Sequence, residues 1–240
     1  MPNRYFQFKQ FAVQQENCAM KVCTDACLFG AWVASIIQTK KEALSTILDI
    51  GTGTGLLSLM LAQKLQDVRI NAIEIDAAAA KQAQENFASS PWFERLQIQH
   101  ASIQEFGGTQ HDFIISNPPF FENDLKSTNT QRNIALHSAS LTLEGLLYQI
   151  QKHLSSSGSF AVLLPYHRSD YFENLAQQKG LYLQYKVAVK QTPKHPFFRS
   201  MLYYATVPST PQLTEIIIKT SEGLYTEEFS RLLKDYYLHL

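Results

Sequence analysis

The sequence predicts an α/β fold, a doubly wound and mostly parallel sheet with helices on both faces. Three observations carry that expectation. Between Ile47 and Leu164, short β-rich runs alternate with helix-like stretches, the pattern of parallel strands joined by crossover helices. The runs are apolar without polar alternation, as strands covered on both faces are. A glycine-rich segment, LDIGTGTGLLSL, joins the first run to the first of these helices.

Taken in order, residues 1–45 form an N-terminal extension packed on a single domain spanning 1–240, with one helix over 24–38 capped by Thr24 or Asp25. Strands follow at 46–50, 70–75, 96–100, 113–116 and 159–165, with helices at 55–65, 77–88 and 141–154 between them. Pro91, the Gly107-Gly108 pair and the run 155–158 read as breakers. The last third changes character. Runs 181–191 and 200–207 are longer and are joined without a helix, so they should pair antiparallel. LTEIIIK is a further strand candidate, and Thr226 followed by Glu227 and Glu228 opens a final helix.

Composition narrows the class. The chain has 240 residues, 45% of them hydrophobic, and 21 basic residues balance 21 acidic ones. That excludes a histone-like basic protein and an acidic disordered chain. Three cysteines do not make a disulfide framework. The start, MPNRYFQFKQF, is no signal peptide, and no run reaches the ~18 apolar residues that span a bilayer. The expectation is a cytoplasmic protein without a membrane segment. The sequence sets no oligomeric state, and a monomer is the simpler expectation.

Gly51, Gly53 and Gly55 sit at the end of the first strand of the alternating region, just before a helix. Glycines let the chain turn sharply and let a ligand approach the main chain, and the helix start adds unpaired N–H groups. Glu74 follows at the next strand end, 23 residues after Gly51, where a carboxylate can accept both hydroxyl hydrogen bonds of a ribose. The spacing G-x-G-x-G is not the dinucleotide pattern, and no P-loop lysine is present. It resembles motif I of the class I S-adenosylmethionine-dependent methyltransferases. Asp49 is either a carboxylate serving the loop or the methionine end of that cofactor, or a charge partner for the helix N-terminus.

Asn117-Pro118-Pro119-Phe120 stands 66 residues after Gly51. Two prolines end a strand abruptly and hold the asparagine extended at the carboxyl end of a strand, where such sheets bind ligands. The asparagine carbonyl and the Pro118 main-chain carbonyl can accept both N–H bonds of a planar conjugated amine and turn its lone pair towards a methyl donor. Phe120 offers a stacking face. The tetrapeptide resembles motif IV of the amino-group methyltransferases.

Longer strings are more specific. FKQFAVQQENCAMKVCTDACLFGAW, DFIISNPPFF and GLYTEEFSRLLKDYYL resemble the opening, the motif IV region and the ending of the bacterial tRNA(Val) adenine-37 N(6)-methyltransferases, so the resemblance covers essentially the whole chain. It implies the strand order 3-2-1-4-5-7-6 of a seven-stranded sheet, S-adenosylmethionine as cofactor and tRNA as partner. It also places the first helix over the cofactor pocket, with Lys21 and Thr24 near it. Lys21 could equally meet an RNA phosphate or only water. Two positions depart from the pattern. Ser102 stands where the family usually has an aspartate contacting the cofactor's adenine, so Glu105 or a backbone carbonyl could substitute. Leu136 stands where an arginine is common, while Arg132 and His137 remain near the acceptor.

Between Asn174 and Pro211 there is no acidic residue, while Lys179, Lys186, Lys190, Lys194 and Arg199 are present with Phe197 and Phe198 among them. A basic stretch with aromatics suits RNA backbone and splayed bases, and Lys190, Lys194, Arg199 and Arg132 are the candidate RNA contacts. A merely solvated face is the alternative. Cys18, Cys23 and Cys27 lack a second pair, so no metal site is expected. Competing functions are a ribosomal RNA guanine methyltransferase, a protein glutamine methyltransferase, and an RNA-binding assembly factor without turnover.

Overall fold

The computed structural model describes residues 4–18, 20–40, 44–119 and 141–240. The chain opens with a small antiparallel pair, β1 (Tyr5–Gln7) and β2 (Ala12–Gln14). Helix α1 (Thr24–Thr39) follows, then β3 (Thr46–Ile50), α2 (Leu56–Lys64), β4 (Arg69–Glu74), α3 (Ala77–Ala88), β5 (Leu96–His100) and β6 (His111–Ser116). Beyond residue 140 come α4 (Leu143–His153), β7 (Leu154–Pro165), α5 (Ser169–Gln178), β8 (Tyr182–Lys190), β9 (Phe197–Ala205), β10 (Gln212–Ile217) and α6 (Glu227–Leu233).

The main sheet has eight strands in the order β10-β8-β9-β7-β6-β3-β4-β5. Seven of them reproduce the expected order. The eighth, β10, is the LTEIIIK candidate and pairs parallel with β8 at the edge. Only β9 runs against its neighbours. Both faces are covered, and the pleat sorts β3 accordingly. Ile47 joins the core under α1, α2 and α6, whereas Leu48 and Ile50 join the core under α4 and α5.

Local chemistry accounts for the element boundaries. Thr226 and Thr142 cap α6 and α4 through their side-chain oxygens, and Asp76 caps α3. Gly30 lets α1 lie close on α2, since a Cβ there would meet Met60 Sδ at 2.9 Å. The cap of α1 differs from the expectation. Cys23 occupies the N-cap position without a side-chain bond, while Asp25 in the first turn pairs with Arg199. The run 155–158 is not a break either. It lies inside β7 as an irregularity, between the pairs His111–Leu154 and Phe113–Ser159.

Candidate active site

Parallel pairing brings the two motifs together. Ile50 pairs with Ser116 and with Ile73, while Glu74 pairs with His100. The residues that follow these pairs, Gly51, Asn117 and Ala101, therefore leave neighbouring strands at one carboxyl edge, with Glu74 itself at the end of β4. The Ser116 hydroxyl donates to the Ile50 carbonyl at 2.8 Å and ties the two strand ends together.

The glycine loop is held from several sides. The Gly51 and Thr52 N–H groups donate to the Ile73 carbonyl at 2.9 and 3.1 Å. Gly51, Gly53 and Gly55 all have positive φ. A Cβ on Gly51 or Gly53 would meet nothing within 4 Å, so the loop faces open space there. Gly55 differs, because a Cβ would lie 2.5 Å from the Phe87 ring. Its role is packing against α3.

Two carboxylates serve this loop. Glu74 is 8% exposed; its Oε2 accepts from the Gly53 N–H at 2.8 Å and its Oε1 from the Asp76 N–H at 2.9 Å. One bond on each oxygen fixes the carboxylate and leaves lone pairs for a diol. Asp49 is fully buried. Its Oδ2 accepts from the Thr52 and Ser58 hydroxyls at 2.6 and 2.7 Å, while Oδ1 has no partner. Burial pushes its acid up to about 6, against the pull of the two hydroxyls and with a small push from Glu74. Asp49 is thus an internal brace of the loop and of the α2 start, with one oxygen to spare.

Asn117 is half-buried, and its Oδ1 is a buried acceptor without a hydrogen-bond partner among the described residues. Such an orphan is costly unless a ligand supplies the donor. Pro118 is buried and Pro119 exposed. Phe120 lies outside the described residues, as do Arg132, Leu136 and His137. Ser102 is half-buried two residues past β5, where the Ala101 N–H donates to the Glu74 carbonyl at 3.0 Å. Thr24 is half-buried at the start of α1, and Lys21 is exposed.

Three features of the edge were not anticipated from the sequence. Ile75, between Glu74 and Asp76, is 58% exposed and offers an apolar surface beside the Glu74 carboxylate. Asn86 of α3 donates to the carbonyls of Thr54 and Gln14 at 2.8 and 2.9 Å and accepts from the Gln14 N–H at 2.8 Å, so the N-terminal extension is fastened to the glycine loop. The extension also brings Cys18 towards Glu74 and Asp76; burial first, then those two acids, raise its thiol to about 11. Asn86, a buried amide in a helix otherwise rich in alanine, was the available sign.

The basic stretch looks different in space. Lys186 pairs with Glu173 at 2.6 Å and Asp170 at 3.2 Å, Lys190 approaches Glu215 at 3.6 Å, and Arg199 pairs with Asp25 at 2.7 Å. All four acids lie outside 174–211. Arg199 therefore bridges β9 and α1 through Asp25, a pairing that the sequence reading did not include. Lys194 and His195 are exposed at the turn between β8 and β9. Among the described residues no group of three His, Cys, Asp or Glu side chains could hold a metal ion, and no helix is long and apolar enough to cross a membrane.

Comparison with known proteins fixes the family. The methyltransferase small domain model matches residues 32–176. A tRNA1(Val) (adenine(37)-N6)-methyltransferase of Parabacteroides distasonis is 38% identical over 100% of both chains. Another of the same name from Trichodesmium erythraeum is 40% identical over 99% of both. The chain belongs to this methyltransferase family. Among solved structures, a predicted O-methyltransferase from Agrobacterium tumefaciens superposes with a TM-score of 0.66 at 15% identity, covering 88% of this chain and 96% of that one; at that identity the likeness speaks for the fold alone.

Proposed function

We propose that this methyltransferase uses S-adenosylmethionine to methylate the 6-amino group of adenine-37, beside the anticodon of valine tRNA. The substrate is taken from the names of the full-length relatives. The observation in this chain that carries the reading is the buried Asn117 Oδ1, without a hydrogen-bond partner among the described residues, at the strand end beside the glycine loop.

The residues present fit the cofactor. Glu74 would accept the ribose hydroxyls, the open side of Gly51 and Gly53 would admit the ligand backbone-close, and Ile75 would lie against the purine. Ser102 stands near that purine with a neutral hydroxyl, and Lys21 and Thr24 remain candidates at the α1 side. When bound, the cofactor supplies an electrophilic methyl on a sulfonium. Asn117 then holds one N–H of the target amine and the Pro118 carbonyl the other, which orients the nitrogen lone pair. Both acceptors gain strength as the nitrogen takes on positive charge, so they favour the transition state over the ground state. Neither must be a strong base, since a proton can leave after the methyl has arrived. Phe120 supplies the stacking face for a base already out of the helix stack. A tRNA substrate also accounts for the expected cytoplasmic location.

Incubation with radiolabelled cofactor and, separately, total tRNA, total ribosomal RNA and whole protein tests the assignment. N6-methyladenosine in tRNA alone is the expected product, lost when adenine-37 of the valine tRNA is replaced by guanine. Label in ribosomal RNA guanine or in protein glutamine instead would overturn it.

A further inference from the structure

We infer that Tyr166 and Phe197 form a stacking platform for a nucleotide next to the target adenine; this rests on the RNA adenine reading above. The two rings are stacked, with centroids 4.9 Å apart and planes at 30°. Tyr166 follows the last residue of β7 and is 37% exposed. Phe197 opens β9. Lys190 lies against the stack, with its Nζ 4.1 Å from the Phe197 centroid, a cation–π contact that sets a basic group at the platform's rim.

Topology puts this stack beside the reacting centre. β7 is the immediate neighbour of β6, and Val162 pairs with Ser116, the residue before Asn117. Pro165 lies three residues beyond Val162, so Tyr166 begins about 10 Å farther out along the strand direction and one strand, about 4.8 Å, to the side. That offset, about 11 Å in all, suits two adjacent bases that are unstacked and splayed apart, each reaching several ångströms from its sugar. Because β9 is antiparallel to β7, with Pro165 opposite Arg199, the β8–β9 turn emerges at the same edge. It carries Lys194 and His195 exposed, within reach of the adjoining phosphates. Tyr166 stays 37% exposed with Lys186 Nζ 6.0 Å from its ring centroid, and an aromatic pair that merely pins the turn to β7 would need neither that exposure nor this edge of the sheet.

The experiment uses an anticodon stem–loop RNA with 2-aminopurine placed either 5′ or 3′ of the target adenine, in the presence of the cofactor product S-adenosylhomocysteine. Stacking on an aromatic ring quenches the probe. The wild-type chain should quench one of the two positions. Tyr166→Leu keeps the bulk of the contact with Phe197 but has no π-face. It should abolish that quenching and weaken RNA binding by about five- to a hundredfold, while Tyr166→Phe behaves as wild type. S-adenosylhomocysteine affinity, measured by calorimetry, should be the same in all three and reports an intact fold. Equal quenching and equal RNA affinity in Tyr166→Leu would overturn the platform, as would failure of the wild-type chain to quench either position. RNA that binds and quenches but gains no methyl group when S-adenosylmethionine is supplied would overturn the adenine reading alone.

Discussion

At the scale of single residues, the proposed chemistry divides the work between Glu74 for binding and Asn117 for rate. Glu74 already holds the Gly53 and Asp76 N–H groups, so its geometry is set before any ligand arrives. Glu74→Ala should weaken S-adenosylmethionine binding about tenfold to a hundredfold, the worth of a charged hydrogen bond. Calorimetry checks this, and unchanged affinity would remove Glu74 from the site. Among the described residues Asn117 makes no hydrogen bond through its buried Oδ1, and on the proposed chemistry its contribution should be realised mainly as the acceptor nitrogen becomes tetrahedral. Asn117→Ala should then lower single-turnover methylation by orders of magnitude with cofactor affinity nearly intact. A wild-type rate at saturating RNA would sink the proposed chemistry. The positions of both residues were legible because they depend on short-range context, an acid or an asparagine at the end of an apolar strand. The sequence could not display the ion pair of Arg199, because its partner Asp25 lies 174 residues away.

At the scale of elements, the glycine loop separates two uses of one residue type. Gly53 has a φ of 56° and open space where a side chain would go, whereas Gly55 has a φ of 83° with the Phe87 ring in the way. Gly53→Ala should cost about 1–2 kcal/mol of stability for the left-handed backbone and should also obstruct the cofactor. Gly55→Ala adds the overpacking of α2 against α3, a further 1–3 kcal/mol or so, and is the more destabilising of the two. Urea midpoints and cofactor titrations distinguish them; equal stability loss would mean that the Phe87 contact yields freely. The β8–β9 turn is the second informative element. Lys194→Ala should lower the log–log salt slope of tRNA binding by about 0.7–0.9. Arg199→Ala, which breaks the pair with Asp25, should act on thermal stability more than on the slope. If the two variants changed the slope equally, Arg199 would be a phosphate contact after all. The stretch reads as strongly basic along the chain because a sequence window cannot see Asp170, Glu173 and Glu215 arriving from α5 and β10.

At the scale of the whole molecule, the doubly wound architecture was legible because each apolar run must be buried on two faces and each helix pattern must return the chain. β3, β5 and α3 fall on the expected residues. The β1–β2 pair was not legible, since three-residue strands carry no period and exist through their attachment to α3. Nor did the sequence announce the polar cluster buried under the far end of β6. His111 and His153 are 1% and 2% exposed. Burial lowers both imidazoles below their ordinary value. For His111 the nearby carbonyls of His153 and Thr109 and the charge of Asp112 oppose this, and for His153 the charges of Lys152 and His111 add to it. Asn71 Nδ2 lies 3.0 Å from His111 Nε2, and the Phe106 ring packs beside both histidines. The unfolded chain protonates its histidines near 6.5, above these folded values. It therefore binds more protons as pH falls, and the folded state loses stability. The stabilisation is complete well above 6.5 and declines as pH drops through 6.5 towards the folded values, with a slope of at most about 1.4 kcal/mol per pH unit for each histidine. Asp49 acts in the opposite sense. Its acid is held at about 6 in the folded chain, above its ordinary value, so the folded state gains stability as pH falls through about 6. Wild-type urea curves between pH 8 and 6 should thus show a net fall, blunted at the acid end. Subtracting the same curves for His153→Phe, which keeps the ring against Phe106 and leaves Asp49 in place, should isolate the His153 share as a difference that grows below pH 6.5. A flat difference across that range would mean that His153 titrates alike in both states, and that its burial carries no electrostatic cost.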